Sequence, residues 1–138
     1  MVTPVLPKIT NATNLYSNSK YIVGAVDSPY TTIQSALDSA HSAGGKHTVW
    51  IRNGTYTESL TLYDGINIEG PNGFGAVIVG VHTPPSGLTA AITFCNIKFS
   101  SANHVLSSNA AGNCIIEFDN CNFGINGYIF NMDNWAGT

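Results

Sequence analysis

The length of 138 residues suits one domain with a core of its own and is short for two. Only 9% of the residues are charged, against about a quarter in ordinary globular proteins, so Ser, Thr, Asn and Gly must cover most of the surface, as in β-rich solenoids and sandwiches. The net charge of −3 provides no basic stripe for nucleic acid, and no apolar run approaches the ~20 residues that span a bilayer, so we predict neither a nucleic-acid nor a membrane partner.

Residues 1–25 are predicted to form an extended N-terminal arm. They contain Pro4, Pro7 and several Ser and Asn residues, and their apolar residues follow neither helical nor strand periodicity. They also lack the charged segment followed by an apolar segment that a cleaved signal peptide would have. We expect the arm to dock onto a larger assembly and residues 26–138 to form the folded domain.

A helix is predicted to follow the arm. Thr31 and Gln34 have the spacing of a capping box, in which the Thr hydroxyl accepts the Gln34 amide N–H and the Gln side chain returns to the cap. Residues 44–45 are both Gly and supply the stop. The apolar residues between these signals form one narrow stripe at helical spacing: Ile33, Ala36, Leu37 and Ala40. Such a helix is suited to lie flat on another element.

From His47 onward, apolar and polar residues alternate, which indicates short β-strands. Two of these stretches, numbered 91–108 and 115–132, repeat one pattern at a fixed offset, 116 − 92 = 24. The equivalent pairs include Ile92–Ile116, Phe94–Phe118, Asn96–Asn120 and Phe99–Phe123. A constant offset in one chain direction places like residues above like residues, whereas a hairpin pairs residues about a turn. We therefore predict parallel stacking.

Each repeat is interpreted as one turn of a parallel β-helix. In the second repeat, three short strands are expected near residues 115–119, 121–123 and 128–131. Alternation directs one set of side chains into the turn: Ile116, Phe118, Cys121, Phe123 and Ile129. Asn96 is expected beneath Asn120 at a corner, where each amide bonds its neighbour in the next turn. The predicted fold class is all-β: a parallel β-helix, or solenoid, with an N-terminal capping α-helix.

The stretch "SPYTTIQSALDSAHSAGGKHTVWIRNGTYTESLTLYDGINIEGPNGFGAVIVG" resembles the opening of right-handed parallel β-helix proteins of the pectin lyase-like superfamily, particularly the pectin methylesterases. In those proteins a "tIQ.Ai..A" helix precedes a "v.I..GtY.E.l" segment and a strand similar to "AVIVG". The similarity extends from residue 29 to about residue 130. It implies a right-handed coil whose first turn is covered by the helix.

The catalytic residues of that family do not carry over to this sequence. The esterases have a Gln-Asp pair just after a "C.F.G" turn, then a second Asp, and further on an Arg and a Trp. Here the turn is "CNFG", Cys121–Gly124, and it is followed by Ile125, Asn126 and Gly127. Asn126 cannot act as a nucleophile, and Asp133 comes too late to replace either carboxylate. We therefore expect no esterase site of this kind.

Glu117 and Asp119 are the alternative catalytic candidates. They are two residues apart on one outward strand face, within ~7 Å, which is compatible with the carboxyl pairs of glycoside hydrolases. They are equally typical of solvating charges on an exposed strand. Glu58 and Glu69 look isolated in the sequence.

The sequence contains no metal or cofactor pattern. The four His residues have no ligand spacing, and the three Cys residues form neither a CxxC pair nor a disulfide framework. We predict no cofactor and no metal. Trp50 and several Tyr residues have aromatic faces that can stack on sugar rings.

The last turn carries large apolar side chains and has no helix after it, so we expect a longer parent protein, self-association or a partner that covers this end. The sequence also resembles catalytically silent β-helices of bacteriophage tail spikes and fibres, which form homotrimers. We predict a non-catalytic structural, receptor-facing or glycan-facing module of a virion or extracellular particle, which assembles with itself or with a larger particle. The alternative is a carbohydrate-active enzyme, either a pectin esterase-like protein or a polysaccharide depolymerase.

Overall fold

The computed structural model describes residues 20–86, 90–101, 104–107, 115–125 and 128–130. Within these ranges the chain forms eleven β-strands and one α-helix. The elements are β1 (Ile22–Val23), α1 (Ile33–Ala43), β2 (His47–Ile51), β3 (Gly54–Thr57), β4 (Ile66–Glu69), β5 (Ala76–Val79), β6 (Ile92–Cys95), β7 (Lys98–Ser101), β8 (His104–Leu106), β9 (Ile116–Asp119), β10 (Asn122–Ile125) and β11 (Tyr128–Phe130).

The strands form three parallel sheets. Sheet 1 has the order β1-β2-β4-β6-β9, sheet 2 the order β3-β5-β7-β10, and sheet 3 pairs β8 with β11. Isolated parallel bridges, Thr61 to Thr83 and His82 to Leu106, extend sheet 3 toward the N-terminus. The chain therefore visits sheet 1, sheet 2 and the third side in turn before it returns to sheet 1. The predicted parallel pairing is confirmed, and the fold is a mostly β, parallel arrangement with one helix, consistent with a parallel β-solenoid.

The register explains why the repeat is visible only in the last two turns. Ile92 pairs with Ile116 and Phe99 with Phe123, so both pairs have the same offset, since 116 − 92 and 123 − 99 both equal 24. In the preceding turn Ile68 pairs with Phe94, an offset of 94 − 68 = 26. Loops of different length give the earlier turns other residue offsets, so the 24-residue repeat does not extend to them.

Stacked aromatic rings fill the interior of the last two turns. The Phe94 and Phe118 rings stack with centroids 5.4 Å apart, and Phe99 and Phe123 stack at 5.5 Å. Phe94 and Phe99 also meet edge to face at 5.2 Å. Both are fully buried, and burial of one large apolar side chain contributes about 1.5–3 kcal/mol. These rings therefore hold successive turns together.

The corner between sheets 1 and 2 is built from Asn and Gly. Asn96 and Asn120 both have left-handed backbones, with φ of 57° and 47°, which Asn tolerates better than most residues. The Asn120 side-chain Nδ2 donates to Asn96 Oδ1 at 2.6 Å. One turn earlier the same place is occupied by Gly70, where a Cβ would lie 2.9 Å from the Asn96 carbonyl oxygen. Only Gly fits there.

The N-terminal cap of α1 differs from the prediction. The N-cap is Thr32, whose Oγ1 accepts the Ser35 N–H at 3.3 Å, so the predicted role of Thr31 is wrong. The Gln34 side chain does not return to the cap. Its Oε1 accepts the Thr61 N–H at 2.8 Å instead, because the first turn of the sheets lies beside the helix. The predicted C-terminal stop at Gly44 is confirmed, with φ of 72°.

A distant carboxylate completes the helix N-terminus. The Ile33 and Gln34 amides donate to the two carboxylate oxygens of Glu58, at 2.9 Å and 3.0 Å. These amides have no partner within the helix, and an anion at this end is stabilised by the helix dipole. On the other side, the stripe of Ile33, Ala36, Leu37 and Ala40 is fully buried. The helix is thus fixed to the first turns by both apolar packing and charge.

The boundary of the predicted arm also needs correction. Tyr21, Ile22 and Val23 are buried, and β1 pairs with β2, so these residues belong to sheet 1 rather than to an arm. Tyr30 closes the outer edge of β1, since its N–H donates to the Ile22 carbonyl at 3.2 Å and its carbonyl accepts from Gly24 at 3.0 Å. Apolar side chains and a paired edge hold this segment in place. Residues 1–19 lie outside the described part of the chain.

Candidate functional site

The outward side of sheet 1 carries two rows of aligned side chains, which we call the lateral face. Register places one residue from each of four strands in each row. The first row is Trp50, Glu69, Cys95 and Asp119, and the second is Thr48, Asn67, Thr93 and Glu117. The neighbouring positions on these strands point inward and are mostly buried. The alternation of the strands therefore presents these eight side chains on one side of the sheet.

The catalytic candidates Glu117 and Asp119 both lie on the lateral face and are exposed. The Thr93 hydroxyl donates to Glu117 Oε2 at 3.3 Å. The Cys95 thiol donates to Asp119 Oδ2 at 3.8 Å. Each carboxylate is therefore positioned by a side chain of β6, in the turn below.

Glu69, which looks isolated in the sequence, belongs to the same row as Asp119. Burial raises the pKa of its carboxyl group, and the negative charge of Asp119 raises it further. Sequence reasoning missed this pairing because the offset from Glu69 to Cys95, 95 − 69 = 26, differs from that of the visible repeat. The raised pKa favours the protonated form of Glu69.

The cysteines of this region are not activated nucleophiles. Burial raises the pKa of the Cys95 thiol, and the nearby carboxylates of Glu69 and Asp119 raise it further. Burial also raises the pKa of Cys121, whose thiol donates to the Phe94 carbonyl oxygen at 3.3 Å. Both thiols are free. At neutral pH they are protonated and act as small packing and hydrogen-bonding groups.

The chemistry of the lateral face is that of a hydrogen-bond acceptor surface. Its eight side chains include three carboxyl groups, two hydroxyls, an amide, a thiol and an indole, and none is basic. Such a face can accept hydrogen bonds from hydroxyl groups and repels anions. Among the described residues, no group of His, Cys, Asp and Glu has an arrangement that could hold a metal ion.

A groove lies at the other end of the helix, beside the first two turns. Its volume is about 390 Å³, and its lining includes His41, Lys46 and Asp64. The His41 ring stacks on Tyr63 with centroids 4.1 Å apart, and Asp64 Oδ1 accepts the Ala90 N–H at 2.8 Å. No sequence pattern indicates this groove, because its residues come from separate segments.

His82 is the one buried polar residue of the described core, and no sequence pattern indicates a role for it. Its Nδ1 accepts the Leu60 N–H at 3.1 Å, so the ring proton is on Nε2. Nε2 has no hydrogen-bond partner within the described segments. Burial lowers the pKa of His82 to about 4. The imidazole is therefore neutral at physiological pH and packs as an interior side chain near Phe94 and Phe99.

The segment that replaces the esterase pair lies partly outside the described residues. Cys121–Phe123 pass from the corner into β10, whereas Asn126, Gly127 and Asp133 lie outside the described residues.

Comparison of the chain with protein-family models, with curated proteins and with solved structures finds no match. No helix in the described ranges is long and apolar enough to cross a membrane.

Proposed function

We propose that the chain is a right-handed parallel β-helix of the pectin lyase-like type that serves as a non-catalytic structural and glycan-facing module. The observation that carries this proposal is the repeated passage through three parallel sheets with a polar lateral face on sheet 1. Right-handedness is the expected form, because crossover connections between parallel strands are right-handed in about 98% of cases. The parallel arrangement provides a stiff rod that keeps surface groups at fixed spacing.

The lateral face supports a role in binding neutral or basic carbohydrate. Successive strands lie about 4.8 Å apart, so its hydroxyl, amide and carboxyl groups recur at short, regular intervals. Trp50 lies at one end of the first row and has a face of the kind that stacks on sugar rings. Carboxylates accept hydrogen bonds from sugar hydroxyls and exclude anionic chains.

The proposed biological setting is a virion or another extracellular particle, in which the chain assembles as a homo-oligomer, with a trimer favoured. This part rests on the resemblance to tail spike and fibre β-helices. Light scattering coupled to size exclusion tests it, because a monomer at micromolar concentration contradicts the assembly.

A glycan array tests the binding role. The variant Glu69→Gln combined with Asp119→Asn removes two carboxylates from the lateral face and keeps their shapes. Asp27→Asn is the matched control, since Asp27 lies outside sheet 1 and Asn also adopts its left-handed backbone, with φ of 51°. Binding that is lost in the double variant and kept in the control supports the proposal. Equal binding by all three proteins, or no binding by the unaltered protein, contradicts it.

A carbohydrate-active enzyme is the second candidate, favoured by the proximity of Glu69 and Asp119. The raised pKa of Glu69 beside a second carboxyl group is the relation expected of an acid and its partner base. Release of reducing sugar or methanol from polysaccharides by the unaltered protein, abolished in Glu69→Gln with Asp119→Asn, would establish this function. Glycan binding without turnover excludes it.

A further inference from the structure

We propose that Asn72 is a site of spontaneous deamidation, and that its conversion changes the charge and backbone of the loop between β4 and β5. The chain contains three Asn-Gly pairs, at residues 53–54, 72–73 and 126–127. Asn-Gly is the dipeptide in which this chemistry meets the least steric resistance, because Gly has no side chain to hinder attack by its own nitrogen. Two of the three pairs lie in the described part of the chain, and their Gly nitrogens have opposite environments.

The Asn72–Gly73 pair is open to the reaction. Both residues are exposed and lie in a turn outside the strands. Gly73 has φ of 90°, and a Cβ built on it would meet nothing within 4 Å. Its N–H makes no hydrogen bond to any residue that the structure describes. No described contact therefore restrains the nitrogen that must attack, and the loop can move without breaking a sheet.

The reaction needs only water and base. The Gly73 nitrogen loses its proton to solvent base and attacks Asn72 Cγ, so that a new C–N bond forms. The Cγ–Nδ2 bond breaks, Nδ2 takes a proton from solvent, and ammonia leaves. Water then opens the cyclic imide at one of its two carbonyl groups, which gives either Asp or isoaspartate. No atom is oxidised or reduced.

The Asn53–Gly54 pair is the internal control. Gly54 is the first residue of β3, and its N–H donates to the Gly75 carbonyl at 2.9 Å. The Asn53 side chain packs against the Gly75 backbone. Attack by this nitrogen requires loss of the hydrogen bond and displacement of the side chain, so the folded protein protects Asn53.

The product alters the loop that holds β3. Deamidation adds one negative charge to a chain of net charge −3. The isoaspartate form also inserts an extra methylene into the main chain, shortly before Gly75, whose carbonyl pairs with Gly54. Modification of Asn72 should therefore weaken the pairing that protects Asn53, and the two sites should react in that order.

The test is a time course of the folded, full-length protein at mildly alkaline pH and physiological temperature. Cleavage after Glu58 and Glu69 separates Asn53 and Asn72 into different peptides, and fragment-ion mass spectrometry locates each one-dalton increase. The same incubation in denaturant gives the deamidation rates of Asn53 and Asn72 in the unfolded chain. Asn72→Asp is the standard for the product, and Asn72→Gln shows whether the signal arises at this position.

In denaturant we expect similar rates at the two sites. In the folded protein we expect Asn72 to react at least about tenfold faster than Asn53, which corresponds to about 1.4 kcal/mol of protection. Asn72 should also keep most of the rate that it has in denaturant. A folded-state ratio below tenfold, or protection of Asn72 as strong as that of Asn53, overturns the proposal.

Discussion

Acid destabilisation through His82 is the most quantitative expectation from the structure. His82 is 0% exposed, and burial lowers its pKa from 6.5 to about 4. In the unfolded chain the imidazole binds a proton below pH 6.5, whereas the folded chain resists protonation down to about pH 4. The unfolded state therefore binds more protons in this window, and stability falls as the pH is lowered.

The magnitude follows from the two pKa values. With about 1.36 kcal/mol for each pKa unit, the loss is about 2 kcal/mol at pH 5 and about 3 kcal/mol at pH 4. The contribution of His82 to the free energy of unfolding is fully present above pH 6.5, is lost progressively as the pH falls from 6.5 to about 4, and changes no further below that. A loss of this size is a substantial part of the roughly 5–15 kcal/mol that stabilises a typical domain.

The assay is urea unfolding between pH 7 and pH 4, compared with the variant His82→Gln. The Gln side-chain oxygen can still accept the Leu60 N–H but does not titrate. Glu69 acts in the opposite direction, because its raised pKa favours the folded state as the pH falls, and it is present in both proteins. The difference between the two pH profiles therefore isolates His82. Parallel profiles would refute the reasoning.

Substitutions at three further sites test the helix cap, the corner and the core packing, each read out as the free energy of unfolding. Glu58→Gln should cost about 1–2 kcal/mol, because it removes the charge that binds two helix amides, and a change as small as that of Asp27→Asn would contradict it. Asn96→Ala should cost about 1–2 kcal/mol, and Asn96→Gly should cost less, because Gly adopts the left-handed backbone at φ of 57° more easily than Ala. A larger loss for Asn96→Gly than for Asn96→Ala would contradict a left-handed backbone at this corner. Phe94→Ala should cost about 3–5 kcal/mol, and a loss below about 1 kcal/mol would exclude a buried stack at this position.

The sequence was sufficient to predict the parallel pairing of the last two turns because the strands in these turns are separated by equal numbers of residues. The differences 116 − 92 and 123 − 99 are both 24, so apolar alternation and period coincide in Ile92–Ile116 and Phe99–Phe123. The earlier turns differ in length, and the same alternation therefore gives no fixed offset. Period alone could not align Glu69 with Cys95.

Contacts between distant segments were beyond the reach of sequence patterns. Thr31 and Thr32 are adjacent hydroxyl residues, and the choice of Thr32 as N-cap depends on how the chain enters the helix. The carboxylate that binds the helix amides comes from Glu58, 25 residues after Ile33, and only the completed first turn brings it there. The groove beside Lys46 and the burial of His82 depend on the fold in the same way.

The most direct test of the account is the pattern of inter-strand NOEs in the folded protein. Same-direction stacking predicts contacts whose residue numbers differ by a constant 24: residues 92 with 116, 94 with 118, and 99 with 123. Antiparallel hairpins would instead give contacts whose residue numbers have a constant sum. Observation of the constant difference supports the stacked turns, and a constant sum would contradict them together with the lateral face that they create.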